Sequence, residues 1–478
     1  MTDVTSPQEL VDKLDAAAGA FEQWSRLQPA DRAPFLEAIA SALEEAAPKL
    51  VAIADEETSL GPTRLHNEMV RTAFQLRLFA EVVTEGGYLG ATIDRADPAW
   101  PMGPRPDLRR VLEPLGPVAV FAASNFPFAF SVAGGDTASA LAAGCPVLVK
   151  AHSGHPRLSA ATAEVVLNAL RAAGAPEGLF DVVFGTEAGR AALVDHRVKA
   201  GAFTGSIEAG RALFDLAAGR PEPIPFFGEL GSVNPVFVTQ AAAERRGHSI
   251  LAEFVGSFTL GAGQFCTKPG ILLVPASAKL VDQLPGLVPD KPMALLNGRI
   301  RASYTDTLRQ LRDTAGVRVP VGGDDAATGP SPTVLCTTSA ELLGAPETLI
   351  REVFGPAALV VEYTQENELL EVAKIIDGQL TASVQGEDED AIAAELIRLL
   401  AAKAGRVLWN QWPTGVSVTY AQQHGGPYPA TTAPATTSVG TQAISRFLRP
   451  VAYQNVPQHL LPPALRDANP LGIPRHAS

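Results

Sequence analysis

A glutamate and a cysteine in this chain each lie in a glycine-rich run, and together they could carry covalent thiol chemistry. Glu229 lies in FFGELGSVNP and Cys266 in TLGAGQFCTKPG, where Gly261, Gly263 and Gly270 surround the thiol. A thiol attacks an electrophilic carbon as a thiolate or with a base to take its proton, and a carboxylate can be that base or activate water. The glycines predict tight turns where backbone can approach a ligand.

Each of these residues also has a simpler interpretation. A free cysteine is frequently a small core residue, and a glutamate in a glycine-rich loop is frequently solvated. The three cysteines, Cys145, Cys266 and Cys336, are odd in number and widely spaced, which argues against a disulfide framework and against a CxxC metal site. We therefore expect free thiols, no metal ion and a reducing, cytoplasmic compartment.

The elements that position these residues are indicated by a change of hydrophobic pattern along the chain. Residues 7–88 carry apolar side chains near the helical period, whereas residues 91–114 are rich in proline and aspartate and predict an extended arm. From residue 116 onward, short apolar runs alternate with helical stretches, which is typical of βαβ units and a covered parallel sheet. The predicted strands are 116–123, 146–150, 180–185 and 199–205 before Glu229, and 235–238, 271–275, 358–363 and 406–410 after it.

Length and composition limit the classes of protein to consider. The 478 residues predict two or three domains, and 46% hydrophobic with 19% charged residues is typical of a compact protein without extended disorder. A formal net charge of −13 and scattered lysines and arginines argue against a nucleic-acid partner. The N-terminal residues lack the apolar region of a signal peptide, and no run reaches the roughly 20 apolar residues of a membrane span.

Two strand ends could bind a phosphate or a nucleotide. KAGAFTGSIEAGRALF places Gly205, Ser206 and Gly210 at the end of a predicted strand and the start of a helix, where free backbone N–H groups can meet an anion. The spacing is GSxxxG, not GxGxxG, and a tight strand-to-helix turn needs glycine in any case. Lys150 ends another apolar strand, at the edge where open α/β sheets bind ligands, although such a lysine is often only a solvated charge.

Taken in order along the chain, six segments carry a resemblance that covers nearly its whole length. ASNFPFAFSVAGGDTASALAAGCPVLVKAHSGHP, FTGSIEAGR, FGELGSVNP, GAGQFCTKPG, REVFGP and NQWPTGV look like the aldehyde dehydrogenase superfamily. Within it, the chain most resembles the NADP-dependent branch that includes 2-oxoglutarate semialdehyde (2,5-dioxovalerate) dehydrogenases, which GGPYPATT and LLPPALRDANPLG support. The resemblance implies an α/β fold with two Rossmann-type parallel-sheet domains and a β oligomerisation arm.

The resemblance also implies catalytic roles. Cys266 matches the nucleophile that attacks the aldehyde to give a thiohemiacetal, and Asn125 in ASNFP matches the amide that helps the Cys266 backbone N–H hold the oxyanion. Glu229 matches the base that activates Cys266 or the deacylating water, and its presence favours a free acid over acylation of coenzyme A. His424 resembles a histidine that this branch keeps near the substrate, although a structural role is an open alternative. Without the motif, Asn125 would be interpreted as a turn residue.

For the cofactor, the resemblance places Lys150 on the adenosine ribose, the Ser206 turn on the pyrophosphate, and Glu352 with Phe354 on the nicotinamide ribose. Where NAD-preferring relatives usually carry glutamate, this chain has Ser153, preceded by His152. Without that carboxylate a 2′-phosphate is not repelled, and hydroxyl or imidazole donors could hold it. We therefore expect NADP, with NAD as the alternative.

The expected organisation follows the same resemblance. Residues 1–95 and 115–230 would form the dinucleotide-binding domain, 231–433 the catalytic domain, and 96–114 with 434–478 the oligomerisation arm of a homodimer or homotetramer.

The sequence leaves the aldehyde open. The resemblance to one branch of the superfamily favours 2-oxoglutarate semialdehyde, and other aliphatic or long-chain aldehydes are alternative substrates. Two alternative functions are a non-redox esterase that uses Cys266 and Glu229 and a non-catalytic scaffold. A dicarboxylic semialdehyde needs a cation or backbone nest for its distal carboxylate, for which Arg77 and Arg157 are candidates. Trp409, Asn410 and Trp412 could shape a wall of the pocket or simply pack.

Overall fold

The computed structural model describes residues 4–323 and 325–478. The α-helices are α1 Pro7–Trp24, α2 Ala33–Thr58, α3 Pro62–Glu85, α4 Gly135–Ala143, α5 Pro156–Ala172, α6 Thr186–Val194, α7 Ile207–Ala218, α8 Gln240–Thr259, α9 Gly298–Arg312, α10 Ser339–Gly344, α11 Pro346–Leu349, α12 Glu368–Ile375 and α13 Ala393–Ala401. The strands are β1 Thr92–Asp94, β2 Leu108–Pro114, β3 Val118–Phe121, β4 Val147–Lys150, β5 Phe180–Val183, β6 Ala200–Thr204, β7 Phe226–Glu229, β8 Val236–Val238, β9 Ile271–Pro275, β10 Arg318–Val321, β11 Asp325–Ala326, β12 Gly329–Pro330, β13 Thr333–Thr338, β14 Ala357–Tyr363, β15 Gln379–Gln385, β16 Ala404–Trp409, β17 Leu448–Gln454 and β18 His476–Ala477.

The first sheet has five parallel strands in the order β5-β4-β3-β6-β7. Its strands are short and almost wholly buried because helices cover both faces, which is why they read as continuous apolar runs in the sequence. The chain order reverses between β3 and β6, and ligands of open α/β sheets bind at the carboxyl ends beside such a point. Asn125, Lys150, Ser206 and Glu229 all lie at that edge.

The second sheet has seven strands in the order β10-β13-β14-β9-β8-β15-β16. All neighbours are parallel except the edge strand β10, which runs antiparallel to β13. The predicted α/β class with two parallel-sheet units is confirmed, with this antiparallel edge as the difference. Strands β7, β13 and β15 were missed, because Phe226–Glu229, Thr333–Thr338 and Gln379–Gln385 are either very short or interrupted by polar residues that are buried between neighbouring elements.

A third, four-stranded sheet joins distant parts of the chain in the order β17-β2-β1-β18. Strand β2 pairs antiparallel with β17 along its whole length, from Leu108 opposite Gln454 to Pro114 opposite Leu448. The sheet also includes Thr92–Asp94, which lies within the extended segment 91–114 but before the oligomerisation arm that we expected from residue 96. Within the described ranges, none of the helices combines the length and apolarity that crossing a bilayer would require.

Candidate functional site

The turn that carries Cys266 is fixed to a neighbouring turn by backbone contact and by a buried lysine. Gly263, before the cysteine, has φ +67°, and a Cβ there would lie 2.1 Å from the carbonyl oxygen of Gly355. After the cysteine, Lys268 Nζ donates to the carbonyl oxygens of Val353 at 2.6 Å and Ala357 at 2.8 Å. The thiol therefore has a fixed position relative to the segment that contains Glu352 and Phe354. The role of Lys268 was missed, since a lysine in a loop normally predicts a solvated charge.

A buried asparagine holds the same turn from the other side. Asn234 Nδ2 donates to the carbonyl oxygens of Cys266 at 2.8 Å and Lys268 at 3.0 Å, and its Oδ1 accepts from Thr381 Oγ1 at 2.8 Å. Asn234 has φ +49°, a left-handed conformation that asparagine tolerates better than most residues. Its place in the GSVNP segment beside glycine and proline was the signal available in the sequence.

Glu229, His424 and Cys266 meet in one buried group. His424 Nε2 lies 3.5 Å from Cys266 Sγ and 2.9 Å from Glu229 Oε1, and Ser438 Oγ donates to the other carboxylate oxygen. Glu229 and His424 are 3% and 1% exposed, and the cysteine is half-buried. The expected glycine-rich turn at Glu229 was wrong: the residue ends strand β7 and pairs with Thr431, because Gly228 leaves room for Thr432 against the strand.

The electrostatics of this group favour a protonated Cys266 thiol and an ionised Glu229 carboxylate. Burial, followed by the charge of Glu229, raises the pKa of the Cys266 thiol well above its usual range. Burial also opposes ionisation of Glu229, but the charge and hydrogen bond of His424, with hydrogen bonds from Ser438 and Cys266, hold the pKa of Glu229 below its usual value. At neutral pH the thiol keeps its proton beside a carboxylate that can accept it.

Asn125 follows strand β3 and faces the cysteine turn. Its Nδ2 donates to the carbonyl oxygen of Gln264 at 3.1 Å, and Arg64 Nη2 donates to the Asn125 carbonyl oxygen at 2.7 Å. Further along the loop, Glu68 Oε1 accepts from the backbone N–H groups of Phe128 and Ala129. Two ionisable side chains of α3 therefore hold the loop that carries the asparagine.

The carboxyl edge of the first sheet brings together the residues expected for the nucleotide. Lys150 is half-buried at the end of β4, and burial with the nearby charge of Arg299 lowers its pKa. Gly189 leaves room for it, since a Cβ there would lie 2.5 Å from Lys150 Cγ. Ser153 is exposed on the following loop, where His152 Nδ1 accepts from the N–H of Gly154 at 2.9 Å.

The start of α7 and the Glu352 turn lie against each other. Ser206 caps α7 by accepting from the N–H of Ala209, and both Gly205 and Ser206 are exposed at this helix start. A Cβ on Gly231 would lie 2.4 Å from Glu352 Oε2 and 3.2 Å from Ile207 Cγ1. Burial raises the pKa of Glu352 to about 7.

Gly210 and Phe354, also expected at the cofactor site, lie in packed parts of the structure. Gly210 is buried where α7 crosses the sheet, because a Cβ would lie 2.1 Å from Leu230 Cδ2. Phe354 is half-buried in the segment held by Lys268.

Several expected residues lie elsewhere. Arg77 forms ion pairs with Glu37 and Glu44, and Arg157 pairs with Glu56 and Glu57, so acidic residues of α2 already bind both candidates for a substrate carboxylate.

Of the two roles left open for the aromatic run near residue 410, its contacts favour packing over a wall of the pocket. Asn410 Oδ1 accepts from Arg246 and from Gly386 N–H, and Trp412 Nε1 donates to Glu253. These contacts lie at the carboxyl ends of β15 and β16, whereas Cys266 precedes the amino end of β9. The strand direction separates the two groups.

Comparisons with known proteins give the following matches. The model of the aldehyde dehydrogenase family matches residues 4–428. An alpha-ketoglutaric semialdehyde dehydrogenase of Acinetobacter baylyi is 44% identical over 98% of this chain and 91% of that protein. Alpha-ketoglutaric semialdehyde dehydrogenase 2 of Azospirillum brasilense is 46% identical over 99% of this chain and 91% of that protein.

Two solved structures share the fold. Betaine aldehyde dehydrogenase from Staphylococcus aureus, in complex with NAD+, has a TM-score of 0.80, 21% identity and coverage of 95% of this chain and 90% of that one. Succinic semialdehyde dehydrogenase from Streptococcus pyogenes, in complex with NADP+, has a TM-score of 0.79, 19% identity and coverage of 96% and 97%.

Replacing Glu68 with glutamine should stabilise the protein at neutral and higher pH. Burial raises the pKa of Glu68 to about 7, so the folded chain keeps a proton that the unfolded chain releases near the usual, lower value. Wild-type stability should therefore fall relative to Glu68→Gln as pH rises through that interval, by roughly 3 kcal/mol at pH 8. Below it, both states are protonated and the difference should not change with pH.

Thermal or urea unfolding across this pH range measures the difference. Glu81→Gln, on an exposed position of the same helix, is the matched control and should show no such dependence. A Glu68→Gln variant whose stability parallels wild type at every pH would contradict the raised pKa.

Proposed function

The chain belongs to the aldehyde dehydrogenase family, and on that premise we propose that it oxidises 2-oxoglutarate semialdehyde to 2-oxoglutarate with NADP. The observation that carries the chemistry is the buried contact from Cys266 Sγ through His424 to Glu229. The substrate is supported by the two alpha-ketoglutaric semialdehyde dehydrogenases, which match this chain over nearly its whole length.

The first step is attack by Cys266 on the aldehyde carbon. Because its pKa is raised, the thiol must lose its proton as the C–S bond forms, and the Glu229 carboxylate, held ionised by His424 and Ser438, is the acceptor within the same buried group. The oxyanion of the thiohemiacetal would be held by Asn125 Nδ2 and the Cys266 backbone N–H. Arg64 and Glu68 fix the Asn125 loop beforehand, so these donors need little rearrangement.

Bound NADP supplies the acceptor for the hydride that leaves the thiohemiacetal carbon. The residues present fit such a cofactor: Lys150 and the exposed N-terminus of α7 at Ser206 offer cationic and N–H groups to its ribose and phosphates. Glu352, beside the same helix start and next to Phe354, offers a carboxylate to the second ribose. Gly189 leaves room for the Lys150 side chain, and Gly231 leaves room for the Glu352 carboxylate.

The second step is hydrolysis of the Cys266 thioester. Glu229 can take a proton from a water molecule as its oxygen attacks the acyl carbon, and the thiolate leaves and recovers a proton. His424, in contact with both Glu229 and the sulfur, can pass that proton between them. A base at this position supports release of the free acid in preference to transfer to coenzyme A.

The preference for NADP is supported by charge at the Lys150 edge. Burial, His155, Lys150 and Arg299 lower the pKa of His152 to about 3, so its ring is neutral. With Nδ1 accepting from Gly154, the proton lies on Nε2, which can donate to a phosphate. Lys150 and Arg299 add positive charge without a carboxylate at Ser153. Arg299 comes from α9 of the other sheet, which is why the local sequence around Lys150 did not indicate it.

We also propose a homodimer or homotetramer and a cytoplasmic location. The outer edge of β17 and the exposed side chains of Trp100 and Met102, the latter 94% exposed, offer surface for a second subunit. The three free thiols suit a reducing compartment. Light scattering of the purified protein would measure the mass in solution.

The function is tested by following NADPH absorbance when purified protein meets a panel of aldehydes. We expect kcat/KM to be highest for 2-oxoglutarate semialdehyde, lower for succinic semialdehyde and lowest for long-chain aldehydes. Cys266→Ser should abolish NADPH formation. Failure of every aldehyde to yield NADPH or NADH would overturn the dehydrogenase proposal, whereas a higher value for a long-chain aldehyde would overturn only the substrate.

Replacing His424 with asparagine should move the acid limb of the kcat/KM profile to higher pH. The charge and hydrogen bond of His424 are the largest effects that lower the pKa of Glu229, and without them burial raises that pKa. The carboxylate is the active form, so the variant should lose activity at a pH where wild type retains it. His248→Asn changes an exposed histidine bonded to Gln283 and should leave the profile unchanged. An unshifted limb in His424→Asn would assign the histidine a structural role.

Replacing Arg299 with methionine should reduce discrimination between the two cofactors. If the guanidinium faces the 2′-phosphate, kcat/KM for NADP should fall about 10-fold while the value for NAD changes little. Steady-state kinetics with both cofactors measure the ratio. Arg309→Met, at the other end of α9 beside Asp306, is the control. Equal losses with NADP and NAD would show that Arg299 does not contact the phosphate.

A further inference from the structure

Three arginines of the described chain lie near the catalytic pocket, and they differ in what already binds them. Arg64 donates to the Asn125 carbonyl oxygen, and Arg406 donates to the carbonyl oxygens of Pro413 and Gly415, each at 2.6 Å. Arg71 makes no hydrogen bond and no ion pair with any group in residues 4–323 and 325–478. Its Nε and one terminal nitrogen are nevertheless buried, so this guanidinium lacks the partner that buried charge requires.

The position of Arg71 relates it to the reacting atoms. Its guanidinium carbon lies 5.4 Å from the centre of the Phe130 ring, and that ring lies 6.4 Å from the His424 ring, which contacts Cys266. The charges of Cys266 and Glu229 both act on Arg71. The unpartnered cation and the histidine that contacts the thiol therefore both adjoin the Phe130 ring.

The nearest acidic side chain on the same helix does not neutralise Arg71 through a bond. Glu68, one turn earlier, directs Oε1 to the N–H groups of Phe128 and Ala129. Burial lowers the pKa of Arg71, and the charges of Glu68, Cys266 and Glu229 act against that effect. A group that brings a carboxylate to the guanidinium would replace the lost hydration with charge-assisted hydrogen bonds.

The walls beside Arg71 suit an aldehyde that is apolar in the middle and anionic at its far end. Phe126 packs edge-on against Phe130 at 5.5 Å and against Phe265 at 5.3 Å, and Phe265 adjoins the nucleophile. These rings offer an apolar path for methylene groups between the sulfur and the cation. A neutral long-chain aldehyde would leave the buried guanidinium unpaired, which disfavours it.

We propose that Arg71 binds the distal carboxylate of the substrate and thereby selects short semialdehydes that end in an acid. This inference rests on the proposed function and adds the residue that recognises the 2-oxo acid end. The planar guanidinium can donate to two carboxylate oxygens side by side, and the unbonded Nε and terminal nitrogen provide such a pair of donors. Arg71 takes over the role for which the sequence offered Arg77, which lies on the same helix but pairs with Glu37 and Glu44.

Replacing Arg71 with methionine tests the proposal with two substrates. For 2-oxoglutarate semialdehyde we expect kcat/KM to fall about 100-fold, chiefly through KM, and for pentanal, which has no carboxylate, to stay unchanged or rise. Arg71→Lys keeps the positive charge but not the paired N–H donors of the guanidinium, and its kcat/KM for the acid substrate should fall about 10-fold. Arg77→Met is the matched control on α3 and should retain both activities.

Inhibition by a dicarboxylate that cannot be oxidised separates binding of the carboxylate from folding. Glutarate should inhibit oxidation of pentanal competitively in wild type and in Arg77→Met, and should fail to do so in Arg71→Met. The retained pentanal activity shows that the variant is folded.

The failures of the two proposals are distinguishable. Wild type that oxidises pentanal but not the semialdehyde would overturn the proposed substrate and this inference with it. The role of Arg71 alone would be overturned if wild type prefers the semialdehyde and Arg71→Met either keeps its activity with both substrates or loses activity with both to the same extent.

Discussion

The rest of the site depends on keeping the Glu229 carboxylate ionised while it is almost fully buried. Burial alone would favour the neutral acid, which can neither accept a proton from a thiol nor activate water. His424 and Ser438 reverse that preference by bonding to both carboxylate oxygens. The same negative charge then raises the pKa of Cys266, so the thiol stays protonated until an electrophile is present.

That balance requires three segments that are far apart in the chain to meet within hydrogen-bonding distance. Glu229 ends a strand of the first sheet, Cys266 precedes a strand of the second, and His424 lies in a segment without regular structure. Asn234 and Lys268 fix the cysteine turn through backbone carbonyl oxygens, and neither contacts the sulfur. Fully bonded buried polar groups hold one arrangement firmly, because any shift leaves a donor or carbonyl unpaired.

The sequence predicted the sheets well where the strands were apolar and short, and the helices where amphipathic spacing was regular. It failed where polar residues are buried: Gln379 begins β15 with its side-chain oxygen accepting from Ser232 Oγ and two backbone N–H groups, so the strand did not look apolar. The sequence also could not predict the roles of residues whose partners come from a distant segment of the chain. Arg299 and Lys268 have local contexts typical of solvated charges, and only folding gives them their neighbours.

The sequence by itself determined the family and the α/β architecture, because six motifs in a fixed order leave few alternatives, and it predicted Cys266 as the nucleophile and Glu229 as the base. The tertiary structure decided which charges are already paired. Arg71 and Arg77 are arginines of one helix, yet Arg77 faces the acids of α2 and Arg71 faces Phe130 on the side of the thiol. The two arginines project from different faces of the helix, and each face packs against a different part of the protein. Their partners therefore depend on the tertiary structure and not on the local sequence.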